Sequence, residues 1–436
     1  MVTFLTLLVG LVAGVHSIEV AVSEPAARVE LRLNGRTVAE ASAPPWVLRC
    51  DFGRELHPAL VEVVAFDASG RELGRDAQRV NLPESRAQAV IVPVIDDTGR
   101  TVAARLAWTS AEFGRPRSIT AALDGRTVTV DGSHRVDLSD VTDGELHVLA
   151  VDFDFAPELT LKRQLAFGKG FSGGASSELT ALPVLVDGLS ELAPAEQLAG
   201  WFTAASDPLR VTAVERERGL LVIVRDPGAE ELLLELRSQR KRMARDARRS
   251  GSGLALDRLG DDVDIRVLVA EPVQPRDRDR ATLLFPYSKR GLPGDEGIVE
   301  AAVAPSNERL LGTGLMLSDA VAVAGLRAAE GNHRRAVLLL LGPQREDVSR
   351  FRPEAVRRFL AELHVPLVVW DISGRTADAP PAWRPDVDIA TFDDVATAAD
   401  QLRSLFRRQR IVWVSGNHLP QLITLGPAAK GIEIAR

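Results

Sequence analysis

Residues 219–230, Gly-Leu-Leu-Val-Ile-Val-Arg-Asp-Pro-Gly-Ala-Glu, set the tightest limit on what this chain can fold into. An apolar run rich in Val and Ile, with no polar alternation, is a strand buried on both faces, and such strands belong to mostly parallel sheets wrapped by helices. Pro227-Gly228 stops the run and leaves Asp226 at its carboxyl end, the edge where open α/β sheets bind ligands. Leu232, Leu233 and Leu236 then mark one apolar side of a helix. Further strands are predicted at 264–270, 282–285, 336–341, 366–370 and 410–414. Between them, residues 353–363 place Ala355, Val356, Phe359, Leu360 and Leu363 on one helical face, and 392–406 do the same with Val395, Ala398, Ala399, Leu402 and Phe406. Alternating strands and helices of this kind make 219–416 a doubly wound α/β domain.

A chain of 436 residues holds more than one such unit. Near its start Val29, Leu31 and Leu33 alternate with Glu30 and Arg32, break at Asn34-Gly35 and resume at Thr37-Val38. That is a hairpin signal, because both central residues of a type I′ turn need positive φ. The strand pattern Leu60–Phe66 follows and runs into the turn Asp67-Ala68-Ser69-Gly70. The pattern returns as Asp124-Gly125-Arg126-Thr127-Val128 and Leu146–Asp152, which predicts tandem immunoglobulin-like β-sandwich modules over 18–84 and 85–167. Asp152 and Asp154 alternate with Val151, Phe153 and Phe155, a solvated strand face by this spacing, with a calcium site as the alternative. Gly168-Lys169-Gly170-Phe171-Ser172-Gly173 has the letters of a dinucleotide fingerprint, but no helix follows to present its N-terminus to a phosphate. It is expected to be a flexible linker opening a connecting module over 168–218, and 417–436 a C-terminal tail strand.

Residues 1–17 carry an apolar core from Phe4 to Val15 and end Val15-His16-Ser17, so a secretory signal peptide cut after Ser17 is expected, without the usual basic start. The alternatives are an uncleaved anchor and a buried first strand. An export signal would place the mature protein outside the cytoplasm, in the periplasm, at the cell surface or secreted. No later segment reaches the ~20 apolar residues of a bilayer span. The lone Cys50 has no partner for an internal disulfide and reads as packing within a strand. A net charge of −7 favours solubility and points to no particular partner.

Taken together, the strand ending at Asp226, the segment Gly312-Thr313-Gly314-Leu315-Met316-Leu317-Ser318-Asp319-Ala320, the strand Arg334–Leu340, the sandwich segments Ala65–Gly70 and Val80-Asn81, and the helix Leu402–Gln409 resemble the bacterial group of von Willebrand factor type A domain proteins that carry N-terminal sandwich modules. The resemblance covers most of the chain and implies a Rossmann-like type A domain whose strand tips hold a divalent cation. In that family the ligands are an Asp-x-Ser-x-Ser loop, a Thr from a second loop and an Asp from a third; magnesium asks for such oxygen donors in a near-octahedral shell at about 2.0–2.1 Å. Here Asp226 is kept, Gly228 and Glu230 stand where the hydroxyls belong, Thr313 survives, and Gly342 occupies the place of the last acid, with Glu346 and Asp347 further on. The metal candidates are therefore Asp226, Thr313 and Glu230, in a degenerate site expected to bind no cofactor, with magnesium or another divalent ion as the alternative. Without the ion, Asp226 and Thr313 are expected to cap the segments that follow them.

The cations Arg237, Arg240, Lys241, Arg242, Arg245, Arg248 and Arg249 come late in the first helix of this domain, where its dipole favours them. No interleaved aromatics or nucleic-acid module accompany them, so no nucleic-acid partner is expected. His364 follows a helix end, which is likewise favourable for a cation. No Gly-x-Ser-x-Gly elbow, His-Glu-x-x-His, cysteine pair or phosphate loop occurs. These residues predict no enzyme but an exported binding or scaffolding protein that takes a protein partner through the loops of its type A domain. The alternatives are cation-dependent adhesion through Asp226 and Thr313, a hydrolase with a site between domains, and a structural subunit of an envelope assembly.

Overall fold

The computed structural model describes residues 2–22, 26–83, 87–110, 113–142, 144–156, 159–168, 171–188, 191–250, 257–271, 285, 292–303, 314–343, 346–373 and 383–436. Two antiparallel sheets open the chain. Val2–Phe4, Val15–Val22 and Val47–Asp51 form one; Arg36–Ala41, Arg28–Leu33, Ala59–Phe66 and Glu72–Val80 form the other. Alternate residues of both, among them Val29, Leu31, Val61 and Val63, meet in a shared core with the buried Cys50. Asn34 and Gly35 take φ of 51° and 78°, the paired positive values that the hairpin turn requires.

Residues 1–17, read from the sequence as an export signal, are placed in this sandwich. Val2–Phe4 pairs antiparallel with Val20–Val22, and Val2, Phe4 and Val12 are buried in the core. Main-chain N–H groups of Phe4, Leu8 and Val12 donate to Asp76, Gln78 and Asn81 of the facing strand and its exit. Cutting after Ser17 would remove one strand and the first part of the next. Among the described residues no helix is long and apolar enough to cross a membrane.

The second sandwich repeats the plan. Gln88–Ile95, Thr101–Thr109 and Arg135–Asp137 face Arg126–Val128, Ser118–Leu123, His147–Ala156 and Leu159–Gly168. Ile91, Leu106, Leu149, Val151 and Phe153 fill the space between. Asp124 and Gly125, with φ of 49° and 80°, echo the first hairpin.

Of the segment expected to be a flexible linker, Lys169 and Gly170 lie outside the described residues, and the rest is strand. Gly168 pairs with Phe171 to close a hairpin, and the 16-residue strand Phe171–Val186 follows. Gly168 has φ of 90°, and a Cβ there would lie 2.2 Å from the Glu145 carbonyl oxygen, so only glycine fits. The first half of the long strand extends the second sandwich; the second half pairs with Gln409–Ser415 and Ile432–Ile434. With Val211–Glu215 and a small sheet of Phe202–Ala204, Asp207–Pro208 and Ile423–Leu425, these strands enclose a third β core of Leu182, Val184, Phe202, Val412, Val414 and Ile423. The connecting module and the tail are thus one unit. The strand predicted at 410–414 belongs to it, not to the α/β domain.

The α/β domain consists of β1 (Gly219–Arg225), α1 (Glu230–Ser250), β2 (Val263–Val269), β3 (Leu292–Pro293), α2 (Ile298–Ala302), α3 (Leu317–Ala329), β4 (Arg334–Leu341), α4 (Pro353–Glu362), β5 (Leu367–Asp371), β6 (Val387–Asp388) and α5 (Phe392–Arg408). Of the strand predicted at 282–285 only Phe285 is described; the others lie outside the described residues. The sheet order is β3-β2-β1-β4-β5-β6, parallel except for β3. Period-two alternation decides the layers. Leu220, Val222, Val224, Val337 and Leu339 face α3 and α4, while Leu221, Ile223, Ala336 and Leu338 face α1, α2 and α5. A capping box between Thr391 and Asp394 starts α5.

The first sandwich is docked on the α3–α4 face. Ala13, Leu56 and Leu82 enter its core, Arg350 Nη2 donates to Ala13 O at 2.7 Å, His57 meets Glu362 at 2.9 Å, and Glu55 pairs with Arg358.

Asp152 and Asp154, read as a solvated face, lie at the joint between the second and third β units. Lys162 Nζ bridges Asp152 at 2.6 Å and Glu215 at 3.0 Å, Trp413 Nε1 donates to Glu215 at 2.7 Å, and Ser118 and Thr160 donate to Asp154. Burial, then the hydrogen bond and charge of Glu215, push the Glu217 carboxyl up to about 7. The folded protein therefore holds this proton where the unfolded chain has lost it. Its stabilising contribution is full below the unperturbed value of 4.5 and disappears as the pH rises through about 7. Denaturant midpoints measured across that interval should fall more steeply for the natural protein than for Glu217→Gln. Parallel profiles would remove Glu217 from this account.

Candidate functional site

The strand order reverses between β1 and β4, and the loops leaving their carboxyl ends form the crevice expected of a doubly wound sheet. Asp226 follows β1 and is only 2% exposed. Its Oδ1 accepts from Gly228 N at 2.8 Å and its Oδ2 from Gly342 N at 3.1 Å. One carboxylate thus caps the turn Pro227–Ala229 and ties it to the loop after β4. Gly342 has a steric reason to be glycine: a Cβ there would lie 2.5 Å from Ala229 N. An aspartate at this position would need the two loops to separate.

The next acid, Asp347, also serves the backbone. It accepts from Leu317 N at 3.0 Å, Ser318 N at 3.2 Å and Ser318 Oγ at 2.9 Å, closing the N-terminus of α3. Ser349 donates to it through both N and Oγ. Asp319, in the first turn of α3, accepts from Arg350 N and Phe351 N; burial raises its pKa, opposed by those two bonds. Glu230 lies exposed at the start of α1, and its charge acts on the buried Arg225. Thr313 lies outside the described residues.

The described members of this donor set, Asp226 and the nearby Asp347, are not turned toward a common cation. Both oxygens of Asp226 and both of Asp347 face N–H or O–H donors, whereas a hard cation needs several oxygens turned toward one point. Among the described residues no three His, Cys, Asp or Glu side chains gather as a metal shell.

What the loops do form is a cavity of about 400 Å³, with Asp226, Asp347, Arg350, Arg352 and Trp383 among its walls and Leu315, Leu341 and Phe351 as apolar surface. The Arg350 guanidinium lies 5.2 Å from the Phe351 ring centre while donating to Ala13 of the first sandwich. The sequence reading missed Arg350, Arg352 and Trp383, which stand on loops where no periodicity marks a position.

The basic tract is partly spent inside the domain. Arg237 pairs with Glu300, and Arg240 with Asp257 at 2.9 Å, joining α1 to α2 and the chain before it. His364 is 2% exposed, and burial followed by the charge of Arg335 lowers its pKa to about 3. It is a neutral ring, not the cation that a helix end would favour.

No protein-family model matches the chain, and no curated protein matches it. Among solved structures, the fibronectin(III)-like modules of Clostridium thermocellum CbhA are similar at 11% identity and a TM-score of 0.17, over 40% of this chain and 90% of that one. Proximal thread matrix protein 1 (PTMP1) from the mussel byssus is similar at 11% identity and a TM-score of 0.28, over 50% of this chain. The match spans about half the length of that chain, 48%. Neither likeness is close enough to bear on fold or function.

Proposed function

We propose that this protein is a non-enzymatic binding protein whose α/β domain is of the von Willebrand factor A type, and that it takes a protein partner at the carboxyl edge of the parallel sheet without a bound cation. The strand order with its single antiparallel strand and the motif resemblance support the domain type. The observation that carries the cation-free reading is the closure of Asp226 on the Gly228 and Gly342 amides. Arg350 and Arg352, exposed at the rim of a cavity floored by the buried Trp383 and Phe351, offer a partner two cations, suited to an acidic side chain. The first sandwich is part of this site, because Ala13 holds Arg350 in place.

A photo-cross-linking residue at the exposed Arg352 position of the full-length chain tests the proposal in cells. One dominant foreign protein is expected, with a yield unchanged by EDTA and lowered by Arg350→Glu. A yield abolished by EDTA and restored by magnesium or manganese would contradict it, as would cross-links only between copies of the chain itself.

A further inference from the structure

A second cavity, of about 390 Å³, lies far from the Asp226 crevice, where all four units of the chain meet. Leu82 comes from the first sandwich, Leu161 and Arg163 from the second, Ala181 from the long strand, and Asn332 and Arg335 from the α/β domain. Arg335 stands at the amino end of β4, 6% exposed. Its Nε donates to His364 O and its Nη1 to Ala329 O, both at 3.2 Å. Among the described residues Nη2 finds no acceptor and no carboxylate faces the guanidinium. The neighbouring Arg334 shows the contrast: also buried, at 1% exposed, it meets Asp262 Oδ2 at 2.6 Å.

A buried charge without a counter-ion is costly, and structures normally keep one only where it is paired. Desolvation alone accordingly lowers the Arg335 pKa to about 10, and the same charge helps keep His364 neutral. Arg163, 8% exposed, adds a second guanidinium to the wall, already donating to Ala89 O and Lys162 O. The wall mixes polar groups, among them Arg79 and Asn332, with an apolar strip of Leu82, Leu161 and Ala181, and the volume falls in the ~300–1,000 Å³ range of sites for small organic molecules.

We propose that this four-way cavity binds a small organic carboxylate, whose oxygens pair with the Arg335 guanidinium while its apolar body fills the space between Leu82, Leu161 and Ala181. A planar guanidinium matches a carboxylate through two parallel hydrogen bonds. Because the walls come from four units, occupancy fastens the sandwiches, the third β unit and the α/β domain to one another.

Isothermal titration of the full-length protein, exchanged into chloride buffer at constant ionic strength, tests this with benzoate, hexanoate and inorganic phosphate as probes. Saturable binding of benzoate or hexanoate is expected, tighter than that of phosphate and accompanied by a rise in Tm. Arg335→Gln should weaken it by about tenfold or more, the scale of one charge-assisted hydrogen bond. Ala181→Phe, which narrows the cavity and leaves Arg335 untouched, should abolish it and decides the matter if Arg335→Gln fails to fold. The proposal is overturned if no probe binds saturably, if phosphate binds as tightly as the organic carboxylates, or if either folded variant binds like the natural protein.

Discussion

A chain lacking residues 1–17 is expected to lose the cooperative unfolding of its first sandwich. The deletion removes Val2, Phe4 and Val12 from the core, each contributing roughly 1.5–3 kcal/mol by burial. It also removes the strand that covers the edge of Val15–Val22 and the Ala13 carbonyl that accepts from Arg350. The sum is comparable with the ~5–15 kcal/mol that holds an ordinary domain together. Hydrogen exchange should show residues 26–83 unprotected in the truncated protein, with weakened protection in α4, against which the sandwich packs. A truncated chain with unchanged protection and unchanged Tm would instead mark 1–17 as dispensable to the fold, as a leader is.

Asp226→Ala carries the second large effect. It strands the amides of Gly228 and Gly342, both held by a carboxylate that is 2% exposed. Two hydrogen bonds to a charged group, at about 1.5–3 kcal/mol each, set the expected loss at roughly 3–6 kcal/mol. Asp226→Asn, whose amide oxygen still accepts one bond, should lose less. A carboxylate held in waiting for an ion behaves oppositely: without metal its removal relieves a buried charge and leaves stability equal or higher. Urea unfolding of the two variants in EDTA separates these cases.

How far the sequence disclosed this fold depended on which interactions are local. Asn34-Gly35 and Asp124-Gly125 announced their turns because positive φ is a property of the turn residues themselves. Residues 219–225 announced a strand covered on both faces, and the alternation between two helical layers follows from it. Apolarity does not say which sheet a strand joins. Ile411, Val412, Trp413 and Val414 look like a parallel core strand, yet they pair antiparallel with 179–185 from far back in the chain. Within the apolar run from Phe4 to Val15 no local pattern separates Val12, buried in the sandwich, from Ala13, buried on the α/β domain.

Glycine misled in two places for one reason. Gly168 read as flexibility and Gly342 as a lost ligand, while both permit a backbone approach closer than any side chain allows. At His364 the local rule, a cation at a helix end, loses to desolvation and the nearby Arg335 charge. Arg350, Arg352 and Trp383 had no sequence signal, since a loop converges on a crevice through tertiary packing alone.

The central claim is that the Asp226 carboxylate is a clasp between two loops and not half of an ion site. Calorimetric titration of the full-length protein with magnesium and then manganese tests it most directly. No saturable heat is predicted for the natural protein or for Asp226→Asn; stoichiometric uptake by the natural protein that disappears in Asp226→Asn would contradict the account.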